Sequence, residues 1–83
     1  MYEVRIKRPA LKDIARLPQD FPRLVSQQID ALAEVSRPHG VKKLRGDGGY
    51  RVRVGIYRIL YDIDDVNQIV TVYRVKHRRE VYR

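Results

Sequence analysis

The sequence predicts an α+β fold in which a helical hairpin packs on a mostly antiparallel sheet, in the order β-α-α-β-β-β. Apolar residues recur at helical spacing only between Pro9 and Arg37, and they alternate with polar ones at strand spacing before and after. The segments are joined by short breaks rich in Gly, Pro and Asp. At 83 residues the chain is long enough for one small core, so residues 1–83 are read as a single domain.

YEVRIK (2–7) alternates and reads as the first strand. Pro9 suits the first turn of a helix whose apolar stripe is Leu11, Ile14 and Ala15, and Pro18 ends it. Asp20 stands as N-cap with Pro22 just inside, opening a second helix over residues 20–36. Phe21, Val25, Ile29 and Leu32 fall on one face of that helix. Arg37-Pro38-His39-Gly40 breaks the pattern. VKKLR (41–45) reads as a strand, followed by a turn at Gly46-Asp47-Gly48-Gly49. YRVRV (50–54) and IYRILYDI (56–63) read as a tight hairpin around Gly55, with Val52, Val54, Ile59 and Leu60 in the core. Asp64-Asp65-Val66-Asn67 is a turn, QIVTVYRVKH (68–77) the last long strand, and RREVYR closes the chain.

Charge is the informative part of the composition. Eighteen Lys and Arg stand against ten Asp and Glu, a net charge of +8. Residues 1–41 hold seven cations against five acids, whereas residues 42–83 hold eleven against five. Such an excess predicts a polyanionic partner facing the second half. There is no cysteine, hence no disulfide scaffold or thiolate metal site, and the composition suits a reducing, cytoplasmic setting. The opening MYEVRIKRP lacks the apolar run of a signal peptide, and no stretch approaches a membrane span, so no membrane association is expected. GDGG lacks the Lys-Ser/Thr of a phosphate-binding loop, and two histidines without cysteine make a poor zinc site, so no cofactor and no metal is expected. Asp62, Asp64 and Asp65 sit at a strand-to-turn junction and read as turn-capping residues.

What remains is a positive surface. Strand alternation puts Arg51 and Arg53 on one face, about 7 Å apart, with Val52 and Val54 on the other. Arg58 on the partner strand reaches the same neighbourhood. Guanidiniums are planar forks suited to phosphate oxygens and stay charged under all relevant conditions. Three at one spot repel each other unless an anion sits among them, or an acid such as Asp47 or Glu80 neutralises them. Lys42, Lys43, Arg45, Arg74, Lys76 and Arg79 extend the expected nucleic-acid-binding face. The tail adds Arg78 and Tyr82.

Three stretches carry a resemblance: RPALKDIARLP after the opening strand, KKLRGDGGYRVRVGIYRILYDID, and VYRVKHRREVYR. Together they resemble the RelE-type toxins of the RelE/ParE toxin–antitoxin superfamily, along the whole chain. The resemblance implies a metal-independent, ribosome-dependent mRNA endoribonuclease that cuts the codon in the decoding site, the 2′-hydroxyl attacking the adjacent phosphate. It implies as partners the ribosome with its mRNA and a small, acidic antitoxin. By the same resemblance the catalytic residues are Arg51 and Arg53 on the third strand, Arg58 at the scissile phosphate, Arg78 stabilising charge or protonating the leaving oxygen, and Tyr82 stacking on a base. Some relatives carry lysine at the positions of Arg51 and Arg53, and arginine is a poor base at neutral pH. These arginines therefore act by electrostatic stabilisation, or another group takes the proton; His77 is the candidate proton-transfer group. Two other readings stand beside this one: a ParE-like poison of DNA gyrase without nuclease activity, and a non-catalytic RNA- or ribosome-binding module.

Overall fold

A computed structural model describes residues 1–44 and 49–81, with the side chains of Glu80 and Val81 left aside. Arg45, Tyr82 and the Gly46-Asp47-Gly48 part of the expected turn lie outside the described residues. The elements are β1 (Glu3–Ile6), α1 (Arg8–Ala15), α2 (Phe21–Ala31), β2 (Lys42–Lys43), β3 (Tyr50–Val54), β4 (Tyr57–Asp64), β5 (Ile69–His77) and α3 (Arg78–Val81). The strands form one sheet in the order β1-β5-β4-β3-β2; β1 runs parallel to β5 and every other pair is antiparallel. This is the expected α+β plan, with five strands, as the segment-by-segment reading has them, rather than the four of the order β-α-α-β-β-β, and with a terminal helical turn added.

Helix α1 carries proline in its first turn, as expected, but buries a stripe rotated from Leu11 and Ala15. Ala10 is fully buried, Ile14 and Leu17 pack beside it, and Leu11 is 52% exposed. Spacings of four and three put Ala10, Ile14 and Leu17 on one face, and the small Ala10 allows close approach to the sheet. Asp20 occupies the N-cap position of α2 without capping it; its backbone is already helical, and its carboxylate lies 3.8 Å from Arg23 instead. Val25, Ile29 and Leu32 are fully buried, as their spacing predicts. The helix ends at Ala31 rather than at residue 36. Its last amides tighten to bonds such as Ala33 N–H to the Asp30 carbonyl, and the Ala33 carbonyl accepts from the Tyr2 amide at 2.8 Å, leaving it no helical partner.

The helices cover one face of the sheet with a core of Ala10, Val25, Ile29 and Leu32 against Val52, Ile59, Tyr61, Val70, Val72 and Val75. The β3–β4 hairpin closes on a two-residue loop, Gly55-Ile56, with Val54 opposite Tyr57. Gly55 has φ +59°, the pattern of a type II′ turn, and a Cβ there would meet the Phe21 ring at 2.9 Å. The β4–β5 register slips between Leu60 and Tyr61, a bulge that leaves Tyr73 unmatched. Leu60 is the exception to the expected core. It is buried at 8% yet stands outside the core cluster, opposite Arg51, while Tyr61 takes the core position. Period-two alternation requires this once Ile59 faces the helices.

Two carboxylates tie the fold at its edges. Asp13 of α1 accepts from Arg74 Nε at 2.8 Å, Arg74 Nη2 at 3.0 Å and the Val75 amide at 2.9 Å, which supplies a partner on the side of β5 that β1 does not reach. Asp65 accepts from Tyr2 Oη at 2.5 Å and from both Arg37 terminal nitrogens, at 2.9 and 3.2 Å. Asp64 caps its turn as expected, accepting from the Asn67 amide and side chain. Burial pushes the Asp13 carboxyl up, but the Arg74 and Val75 hydrogen bonds outweigh it and hold the group below its ordinary range. The Arg37 and Tyr2 hydrogen bonds pull Asp65 down to about 2. A carboxylate lowered in the folded state contributes stability above its unfolded pKa near 4, and that contribution is lost as pH falls through the folded value. The thermal midpoint is therefore expected to drop between about pH 4 and pH 2, and Asp65→Asn to flatten that limb. A limb unchanged in Asp65→Asn would show that these contacts are not kept in solution.

Candidate functional site

The alternation that sends Tyr50, Val52, Val54, Tyr57, Ile59 and Tyr61 toward the helices leaves Arg51, Arg53 and Arg58 for the opposite face of the hairpin. The register aligns them. Arg53 stands directly opposite Arg58, and Arg58 directly opposite Lys76, a row of three cations across β3, β4 and β5. Arg51 stands opposite Lys42 of β2. Like charges at directly opposed positions destabilise a sheet, so the arrangement asks for an anion.

These residues meet in a cavity of about 390 Å³ lined by His39, Gly40, Lys42, Arg51, Val52, Arg53 and Arg58. Arg58 is its buried part. Its exposure is 4%, and neither Nε nor Nη1 has a hydrogen-bond partner among the described residues. The sequence placed this guanidinium at a surface, whereas the structure holds it inside. Buried donors without partners are costly, so a guanidinium that lines the cavity with Nε and Nη1 buried and unpaired among the described residues favours an anion close by. Arg53 and Lys42 are exposed at the rim and Arg51 is half-buried. Of the acids that could neutralise the cluster, Asp47 and the Glu80 side chain are not among the described groups; no acidic residue lines the cavity among those that are.

The other expected residues are distributed differently. Lys43 is exposed on β2, and Lys76 completes the cationic row. Arg74 is turned to Asp13 and belongs to a separate groove with Arg8, Pro9, Lys12, Asp13 and Arg16. Arg78 and Arg79 are exposed on α3, anchored by the Arg78 amide donating to the Ile56 carbonyl at 2.8 Å. His77 sets its ring edge-on to Tyr57 at 5.8 Å, and its Nδ1 accepts from the Arg79 amide at 3.2 Å. It lines a groove with Asp13, Arg16, Leu17, Tyr57, Arg74 and Val75, away from the arginine cavity. Sequence reasoning missed His39. In sequence the Pro-His-Gly triplet reads as a break between elements, and the signal in it is Pro and Gly flanking one residue, which suits a tight turn.

A family model described as ParE toxin of type II toxin–antitoxin system, parDE, matches residues 4–82. Toxin RelG of Mycobacterium tuberculosis is 39% identical over 87 residues, covering 99% of this chain and 97% of the relative. Among solved structures, a chain of the archaeal RelE–RelB complex from Pyrococcus horikoshii superposes with a TM-score of 0.81 at 29% identity, over 93% of this chain and 94% of that one. The isolated RelE toxin of E. coli superposes with a TM-score of 0.77 at 26% identity, over 99% and 92%. Fold, length and sequence agree over nearly the whole chain: it belongs to the RelE/ParE-type toxins of type II toxin–antitoxin systems.

Proposed function

We propose that this toxin is a ribosome-dependent mRNA endoribonuclease whose catalytic centre is the arginine cavity. The single observation that carries the reading is Arg58, buried with two N–H donors unpaired among the described residues, at a cavity rimmed by Arg51, Arg53 and Lys42. A phosphodiester fits that chemistry. Arg58 grips the scissile phosphate, and Arg51 and Arg53 stabilise the charge that builds on its oxygens as the neighbouring 2′-hydroxyl attacks. The described lining offers cations and no carboxylate, so the protein's own guanidiniums supply the charge stabilisation. Arg78 and Arg79, exposed on α3, and Tyr82, which follows α3 in the sequence, are assigned to contacts with the message.

An antitoxin partner is part of the proposal. The similar P. horikoshii and E. coli structures include RelE–RelB complexes, and an acidic segment over the cationic row would neutralise the repulsion described above.

The test is to incubate purified protein with translating ribosomes and map message ends. Cuts confined to the codon in the decoding site, weakening steeply with added salt, are the expected result. Because the matching family model is described by ParE, gyrase inhibition is measured in parallel. Gyrase inhibition without cleavage would replace the nuclease reading with a gyrase poison, and neither activity would leave a non-catalytic binding module.

A further inference from the structure

We infer that His39 is the base that takes the proton from the attacking 2′-hydroxyl, a role that rests on the nuclease reading above. Among the described residues that line the cavity, His39 is the one able to take that proton. The other described residues lining the cavity are Lys42 of β2, Arg51 and Arg53 of β3, and Arg58 of β4, with Gly40 and Val52. Protonated lysine and arginine have no lone pair to offer a hydroxyl proton. Imidazole is the one side-chain type in that set that accepts a proton near neutrality. His77, the other histidine, lines a different groove and has its Nδ1 occupied by the Arg79 amide.

The chain around His39 is built to hold it. The Val41 amide donates to the Pro38 carbonyl at 3.0 Å, closing a β-turn with His39 and Gly40 at its centre. Gly40 has φ +87°, as the second central position of a type II turn requires, and a Cβ there would meet open space. The root of the turn is fixed on both preceding residues. Tyr61 Oη donates to the Ser36 carbonyl at 2.8 Å, and Arg37 is held by Asp65 and by Tyr50 Oη at 3.2 Å. A short turn pinned in this way presents its side chain without the ordering cost of a mobile loop.

The step balances without a further reactant. The 2′-O–H bond breaks and its proton passes to a ring nitrogen of His39. The O2′–P bond forms, the P–O5′ bond breaks, and the leaving 5′-oxygen takes a proton from water. The imidazolium then returns its proton to solvent. The products are a 2′,3′-cyclic phosphate and a 5′-hydroxyl end.

The test is single-turnover cleavage of ribosome-bound message by wild type and His39→Gln between about pH 5 and pH 8, the range over which imidazole titrates. Wild type should speed up as pH rises through that range. His39→Gln should lose about 10²- to 10⁴-fold in rate and lose the rising limb, with added imidazole restoring part of the rate. Its thermal midpoint and its stabilisation by inorganic phosphate should match wild type, since His39 is exposed and the Arg58 donors are intact. A variant that keeps the limb, or that slows without imidazole rescue, overturns the role of His39 while the nuclease reading stands. A wild type that does not cut overturns both.

Discussion

Arg58→Met is expected to make the protein more stable and to remove the proposed cleavage activity at the same time. The guanidinium is buried at 4% exposure with Nε and Nη1 unpaired among the described residues, so the free toxin carries a desolvated charge with two donors unsatisfied there. Replacing buried charge by a well-packed apolar chain of similar volume is neutral to stabilising by about 1–4 kcal/mol. Methionine suits the position because its unbranched chain fills an irregular gap without adding a polar atom. Activity should move the other way. Loss of one preorganised donor to an oxyanion costs about 10²- to 10³-fold in rate. Inorganic phosphate should raise the thermal midpoint of wild type by mass action and leave Arg58→Met unmoved. Urea unfolding and the message-cleavage assay read the two effects separately. A variant destabilised by several kcal/mol, with no phosphate effect in wild type, would make Arg58 a structural ion-pair member and displace the site.

That trade-off was half legible in the sequence. Period-two alternation was enough to set Arg51, Arg53 and Arg58 on one face, because β3 and β4 are regular and joined by a two-residue turn. Placing Leu60 in the core beside Ile59 broke that same alternation. Ile59, Leu60 and Tyr61 are all apolar, and a continuous apolar run hides which member faces the helices. The burial of Arg58 was not legible at all. It depends on what covers the β3–β4 hairpin, and part of the cavity wall, His39-Gly40, lies nearly twenty residues away along the chain. Helix α1 shows the same limit: spacing allowed Leu11-Ile14-Ala15, but contact with the sheet selected Ala10-Ile14-Leu17. Residue type and local period are carried by the sequence, whereas desolvation is a property of the assembled surface.

The second large effect is expected at Tyr61, which couples the core to the turn that carries His39. Its ring is fully buried, stacks on Tyr50 at 5.9 Å and donates its hydroxyl to the Ser36 carbonyl. Burial pushes the phenol up to about 12, so it stays a donor across the working pH range. Tyr61→Phe keeps the ring and leaves that carbonyl without its donor, a loss of about 1–3 kcal/mol. In a domain of this size each kcal/mol shifts the thermal midpoint by about 4–8 °C. Tyr61→Ala removes the ring as well and should cost about 3–5 kcal/mol, much of the total stability of a small domain. Tyr61→Phe is the informative variant because it stays folded. Ser36 precedes the Arg37–Gly40 turn, so freeing its carbonyl loosens the root from which His39 is presented. Cleavage should then slow while phosphate stabilisation through Arg58 is retained. If Tyr61→Phe loses stability but cleaves at the wild-type rate, the turn is held by Arg37, Asp65 and Tyr50 alone, and Tyr61 serves the core without serving the site.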